Sequence, residues 1–339
     1  MLDLLKKLCR IDAPSGSENQ VRDFILGEIE NYAECRVDSM GNIIAFKKGA
    51  RTPDKKIMLD AHMDEVGFIV TSVDDSGFLR FTTLGGINPQ VVAGRRVRFV
   101  KNSVIGVVGV KPVHLCTAEE KSKAIKLTDL YIDIGAKNKD DALSVVELGD
   151  SAVFEGGLEE FGDGKLCGKA IDDRAGCAVL IDMIKRDLPY DMYFTFTVQE
   201  ELGLRGAKTA TFGVAPDYAI VVEATTAADI SGVSEQERVC VLGQGATVSF
   251  MDRSTVYNKE LFDLCIKTGK EKNIKTQVKS AVAGGNNAGE IHLSRGGVKT
   301  LSISVPCRYL HSASCVIAQE DLFSVSKLVR AMAERMLEL

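Results

Sequence analysis

Lys56-Ile57-Met58-Leu59-Asp60-Ala61-His62 is a short, mostly apolar run that ends on an imidazole. It predicts a β-strand that delivers His62 at its end. Upstream, Ile43-Ile44-Ala45-Phe46 predicts another strand, and Leu2 to Tyr32 places apolar residues at helical spacing on both sides of Ala13-Pro14-Ser15-Gly16-Ser17. That spacing predicts two helices around a turn, the second opened by Ser17 with Gln20 three residues on. Helix and strand in alternation begin an α/β sheet.

Downstream the pattern changes. From Gly67 to Gly162 the chain runs in short β-rich stretches such as Arg96-Val97-Arg98-Phe99-Val100 and Val104-Ile105-Gly106-Val107-Val108-Gly109-Val110. This predicts a small barrel inserted in the sheet domain, with Gly106 and Gly109 at bends. Helical pattern returns at Asp173 to Arg186, followed by the alternating strand Met192 to Val198 and a helix-opening turn at Gly203-Leu204-Arg205-Gly206-Ala207. Strands at Ala219 to Val222 and Lys299 to Val305 and a closing amphipathic helix at Asp321 to Leu339 complete the sheet domain. The architecture expected is a three-layer α/β/α sandwich, residues 1–66 with 163–339, interrupted by a β-barrel at 67–162.

Composition narrows the classes of function. The 42 basic and 47 acidic residues give a net charge of -5, with no Lys/Arg run to neutralise phosphates, so nucleic acid is not expected as a partner. No apolar stretch approaches the roughly 20 residues of a membrane span, and Met1-Leu2-Asp3 followed by Lys6-Lys7 does not open a signal peptide. A cytoplasmic protein with no membrane contact is the expectation. The nine cysteines form no Cys-x-x-Cys pair and are read as reduced thiols.

Polar residues recur where predicted strands end: His62 and Asp64, Asp172 and Asp173, Glu200 and Glu201, Glu223, and His311. Strand ends are where α/β sheets place ligands. Zinc accepts imidazole nitrogen and carboxylate oxygen, and a pair of ions needs one bridging carboxylate plus terminal ligands on each side. Two histidines and three carboxylates suffice. His114 and His292 lack such a setting and are read as structural or surface histidines.

His62-Met63-Asp64-Glu65-Val66-Gly67, Gly168-Lys169-Ala170-Ile171-Asp172-Asp173-Arg174-Ala175-Gly176, Gln199-Glu200-Glu201-Leu202-Gly203-Leu204-Arg205-Gly206-Ala207 and Arg308-Tyr309-Leu310-His311-Ser312 together resemble the tetrahedral aminopeptidases. This dinuclear metallopeptidase family includes glutamyl aminopeptidases and proteins once described as endoglucanases. The resemblance implies that His62, Asp172 and Glu223 hold one metal and that Asp172, Glu201 and His311 hold the other, with Asp172 bridging. It implies zinc, with cobalt or manganese as alternatives, Glu200 as general base, and Asp64 accepting the free ring N–H of His62. It further implies a cis peptide at Asp172-Asp173, peptide substrates cleaved from their free N-termini, and dimers formed through the barrel that assemble into a dodecamer.

Two positions depart from the family pattern: Glu223 stands where Asp is commoner, and Asn286-Asn287 stand where Thr-Asp is usual, which removes a carboxylate near the expected substrate cleft. The adjacent Glu200 and Glu201 are expected to diverge because successive side chains at a strand end project differently. Three rival readings remain at this stage. An aminoacylase or desuccinylase type of amide hydrolase shares the His-x-Asp and Glu-Glu logic but usually carries its extra domain after the Glu-Glu pair. A glycosidase needs two carboxylates and usually an aromatic platform, and this chain has no Trp. The third is an inactive scaffold.

Overall fold

The computed structural model describes residues 1–339. In chain order, α1 (Leu2–Leu8) and α2 (Asn19–Ile29) precede β1 (Glu34–Val37), β2 (Ile43–Lys47) and β3 (Ile57–His62). Then come β4 (Gly67–Val73), β5 (Leu79–Leu84), β6 (Arg96–Phe99), β7 (Ile105–Val110), α3 (Ala118–Ser122), β8 (Leu130–Asp133), α4 (Lys139–Leu143) and β9 (Ser151–Phe154). β10 (Leu158–Phe161), β11 (Lys165–Gly168), α5 (Ile171–Ile184), β12 (Met192–Thr197), α6 (Arg205–Val214) and β13 (Tyr218–Thr226) follow. The chain ends with β14 (Ala246–Val248), α7 (Lys259–Glu271), β15 (Thr276–Val278), α8 (Ala288–Ile291), β16 (Lys299–Cys307), β17 (Cys315–Ala318) and α9 (Gln319–Met336).

Eight strands make one sheet in the order β1-β2-β12-β3-β13-β16-β14-β15. Its centre, β12-β3-β13-β16, is parallel, so both faces must be covered by helices. The two-residue period of a strand assigns the faces. Ile57, Leu59 and Ala61 join the larger core with residues of α1, α2, α5, α7 and α9, whereas Met58 joins a smaller core with Ala207 and Ala210 of α6 and Ala288 and Ile291 of α8. The result is an α/β/α sandwich, as the alternating pattern predicts. Because Asp60 and His62 share the parity of Met58, β3 carries two buried polar groups toward the α6–α8 side.

Strands β4-β5-β8-β7-β6-β9 form the closed barrel, which leaves no sheet edge exposed. Its core centres on Phe68, fully buried and edge-on to Phe81 and Phe154 at 5.3 and 5.1 Å between ring centroids. β10 lies outside the barrel and pairs with β11, which pairs with β17. Gly106 and Gly109 serve cross-strand packing: a Cβ there would lie 2.5 Å from Ile132 Cγ2 and 2.4 Å from the Tyr131 ring.

Two local expectations are corrected. Ser17 does not open α2; Glu18 holds the cap position without a side-chain cap bond. The Ser17 hydroxyl pairs instead with Ser151 Oγ at 3.1 Å, a partner supplied by the barrel. β13 also runs on to Thr226, so Glu223 lies within a strand and not at its end. All nine cysteines are free, and no helix is long and apolar enough to cross a membrane.

Candidate metal centre

The topology brings His62, Asp64, Asp172, Glu200, Glu201, Glu223 and His311 together at the carboxyl ends of the parallel strands. His62 closes β3, Asp172 opens α5, Glu200 and Glu201 follow β12, and His311 lies in the β16–β17 connection. Parallel pairing sets Val221 beside Asp60, which carries Glu223 alongside His62 two residues further on.

His62 is 1% exposed. Its Nδ1 lies 2.9 Å from the Asp64 carbonyl and 3.4 Å from Asp64 Oδ1, and its Nε2 lies 3.1 Å from Asp172 Oδ1 and 3.4 Å from Glu223 Oε1. His311 repeats the arrangement. Its Nδ1 lies 2.8 Å from the Gly86 carbonyl, and its Nε2 is 3.2 Å from both Asp172 Oδ2 and Glu201 Oε1. Asp172 thus stands between the two rings, one oxygen toward each. The main partner of His62 Nδ1 is the carbonyl of Asp64, with its carboxylate second, which modifies the expected side-chain acceptance.

The ring nitrogens decide whether these residues suit a metal. A carbonyl only accepts, so Nδ1 of each histidine is the donor, and in a neutral ring Nε2 then carries a bare lone pair. Each such lone pair faces two carboxylate oxygens, an arrangement that requires a cation between them. A proton on each ring or a metal ion meets that need. Glu201 Oε1 is buried without a hydrogen-bond partner, as expected of a group kept for a ligand. Imidazole nitrogen with carboxylate oxygen is a donor set for zinc and its neighbours among the divalent ions.

The electrostatics agree. Burial and the neighbouring Glu223, Glu201 and Asp172 charges hold the Glu200 carboxyl well above the ordinary range, outweighing the opposite pull of His62. Burial and Asp172 push Glu223 up to about 8 against the pull of His62. Burial alone would raise Asp172 too, yet its hydrogen bonds to His311 and His62 hold it low. Burial opposes a charged imidazole, but Asp172 and Glu201 push His311 up to about 12. The centre has more negative charge than its histidines neutralise, and a divalent cation is what would balance it.

Asp173 is buried beneath this cluster, close to His62 and Glu223. Its oxygens accept backbone N–H groups from Gly176 at 2.9 Å and His62 at 3.3 Å, so it braces the site from below. A Cβ at Gly176 would sit 2.4 Å from Asp173 Oδ2, which explains the glycine. The Asp172-Asp173 peptide is cis.

Glu200 and Glu201 do not sit on a pleated strand end. β12 stops at Thr197, and Gln199 adopts a φ of 54°, so a turn and not strand alternation separates the two side chains. Asn286 and Asn287 do not line a cleft either: they are 5% and 1% exposed, and Asn287 Nδ2 donates to Asp60 Oδ2 and Thr197 Oγ1, both at 2.8 Å. The barrel contributes Gly86, and a Cβ at Gly85 (φ 88°) would press on Val66 and Glu201. Gly85-Gly86 is a site element that the sequence reading missed, and adjacent glycines after a strand were its only signal. His292 binds its own helix through Ala288 O at 2.7 Å, and His114 is exposed on the surface.

A three-layer α/β sandwich with paired histidines and shared carboxylates at its strand ends defines a metal-dependent hydrolase. Residues 41–328 match the M42 glutamyl aminopeptidase family. A protein of Acetivibrio thermocellus described as a putative aminopeptidase is 42% identical over 97% of both chains. Among solved structures, a TET aminopeptidase from a marine sediment Thaumarchaeota archaeon superposes with a TM-score of 0.94 at 36% identity, covering 99% of this chain and 96% of its own. The TET1 peptidase of Pyrococcus horikoshii gives 0.86 at 33% identity and 98% coverage of each. The chain belongs to the M42 glutamyl aminopeptidase family; it is a metal-dependent aminopeptidase, a hydrolase of peptide bonds.

Proposed function

We propose that the centre binds two divalent cations, zinc or in its place cobalt or manganese, and removes residues singly from free peptide N-termini. His62, Asp172 and Glu223 hold one ion, and Asp172, Glu201 and His311 hold the other. The observation that carries this reading is the position of Asp172, with one oxygen 3.1 Å from His62 Nε2 and the other 3.2 Å from His311 Nε2. When bound, the cations supply Lewis acidity for the scissile carbonyl and lower the pKa of water.

The protein's own residues do the rest. Glu200 is the general base: its carboxylate takes a proton from the attacking water and returns it to the leaving amine. Burial among carboxylates raises its pKa, and a nearby cation would oppose that rise by favouring the charged form. Asp64 holds His62 in the tautomer that presents Nε2 to the site. Asp172→Ala tests the shared ligand: two ions per chain in the wild type, measured by mass spectrometry after gel filtration, should fall to none, whereas two tightly held ions in the variant would refute bridging.

Residues 1–66 with 163–339 are taken as the catalytic domain and 67–162 as the insert through which dimers form before assembling into a dodecamer. Support comes from Val113, Leu115 and Leu148 of the insert, apolar yet 72%, 59% and 61% exposed, and from the P. horikoshii relative, described as assembling into a tetrahedron or a large octahedral shell. Light scattering checks it, and the mass of a single chain would rule it out.

A further inference from the structure

Beyond Thr197 the chain leaves the sheet, and four successive backbone N–H groups lose their ladder partners. Side chains accept all four. Val198 N–H goes to Asn42 Oδ1 at 2.9 Å, Gln199 N–H to Glu18 Oε1 at 3.1 Å, and Glu200 and Glu201 N–H to Asp64 Oδ1 and Oδ2 at 3.0 and 3.2 Å. The segment holding Glu200 and Glu201 is therefore shaped by acceptors brought in from the N-terminal part of the chain.

Asp64 and Asn42 have other duties, the first at His62 and the second within its own turn at Asp38. Glu18 instead ties two turns together. It is 7% exposed, and Oε1 also accepts Gly16 N–H at 2.8 Å, which fixes the turn that sends the Ser15 hydroxyl to Asp64 Oδ2 at 2.5 Å. Burying a carboxylate is expensive unless its hydrogen bonds are made. Here one is made by Gly16 in its own turn and the other by Gln199 next to Glu200, a residue whose positive φ needs holding in place.

We infer that Glu18 is a positioning residue for the reaction, fixing through Gln199 N–H the turn that aims the Glu200 carboxylate. This rests on the assignment of Glu200 as general base. Glu18 bonds only to backbone N–H groups and is in neither group of ligand atoms that could hold an ion, so its effect should appear in kcat while KM and metal content stay unchanged. Misplacing a catalytic group by about 1 Å can cost on the order of 10²-fold.

The test measures kcat, KM and bound metal for Glu18→Ala, Glu18→Gln, Glu200→Gln and the Glu18→Ala/Glu200→Gln double variant. Glu18→Ala should lose about 10- to 100-fold in kcat with KM and metal unchanged. Glu18→Gln keeps an acceptor oxygen at the same reach and should recover most of the loss. The double variant should be no slower than Glu200→Gln alone, because residues acting through one group are not additive. If Glu18→Ala does not fold, Glu18→Asp replaces it, with charge kept and reach shortened, and should show the same kcat loss. Wild-type kcat in the variant used, equal damage in Glu18→Gln, loss of metal in step with activity, or a multiplied loss in the double variant would each overturn the inference. Near-normal turnover of Glu200→Gln would show separately that the base assignment is wrong and would take the inference with it.

Discussion

At the scale of single residues the centre is governed by competition for two ring nitrogens. With Nδ1 of His62 and His311 committed to carbonyls, protons and metal ions contend for the same two Nε2 positions. Glu200 is in neither group of ligand atoms that could hold an ion, whereas Glu201 is in one, and the proposed function assigns them the roles of base and ligand accordingly. Glu200→Gln should therefore retain its metal and lose about 10²–10⁴-fold in turnover, the usual contribution of a general base. Assays on variant protein with its metal content measured check this, and near-normal turnover would remove Glu200 from the mechanism. The residues named from sequence do meet in space. Asp64 was named from sequence as the partner of the His62 ring N–H, but the acceptor for His311 was not, because the Gly86 carbonyl that holds it lies 225 positions away in the chain.

At the scale of elements, strands were legible where apolar residues alternated with Tyr and Thr, as in Met192 to Thr197, or where a short, mostly apolar run ended on a polar residue, as in β3. The end of β13 was not, because Glu223 looks like a terminus in sequence yet is paired with Ser304 inside the sheet. The turn at 198–201 was equally hidden, since its partner Glu18 is 181 positions upstream. The asparagines at 286 and 287 were misplaced for a similar reason: only the fold shows that Asn287 supplies the donor facing Asp60, a fully buried carboxylate on β3. Replacing Asn287 by Asp would take that donor from Asp60 and set two buried carboxyl groups together, and leaving a buried acceptor unsatisfied costs about 1–3 kcal/mol. Urea unfolding should show that loss, and an unchanged midpoint would mean the Asp60–Asn287 contact does not matter to stability.

At the scale of the whole molecule, the centre draws on both parts of the chain. The sandwich supplies both histidines and the carboxylates, while the segment after β5 supplies the carbonyl that orients His311. A site assembled this way depends on the insert being folded against the sandwich, not merely tethered to it. Family membership fixes the class of reaction as that of a metal-dependent aminopeptidase, and what remains for this chain is which metal serves it, its need for a free amino terminus and its preferred first residue. The most direct test is a panel of short peptides, each with a free or an acetylated N-terminus, assayed with chelated protein and again after zinc, cobalt or manganese is restored. Cleavage of the free peptides alone, lost on chelation and regained with metal, is the predicted result, and the best-cleaved first residue identifies the preference. Removal of the acetyl group from blocked peptides, or cleavage that persists in the chelated protein, would contradict it.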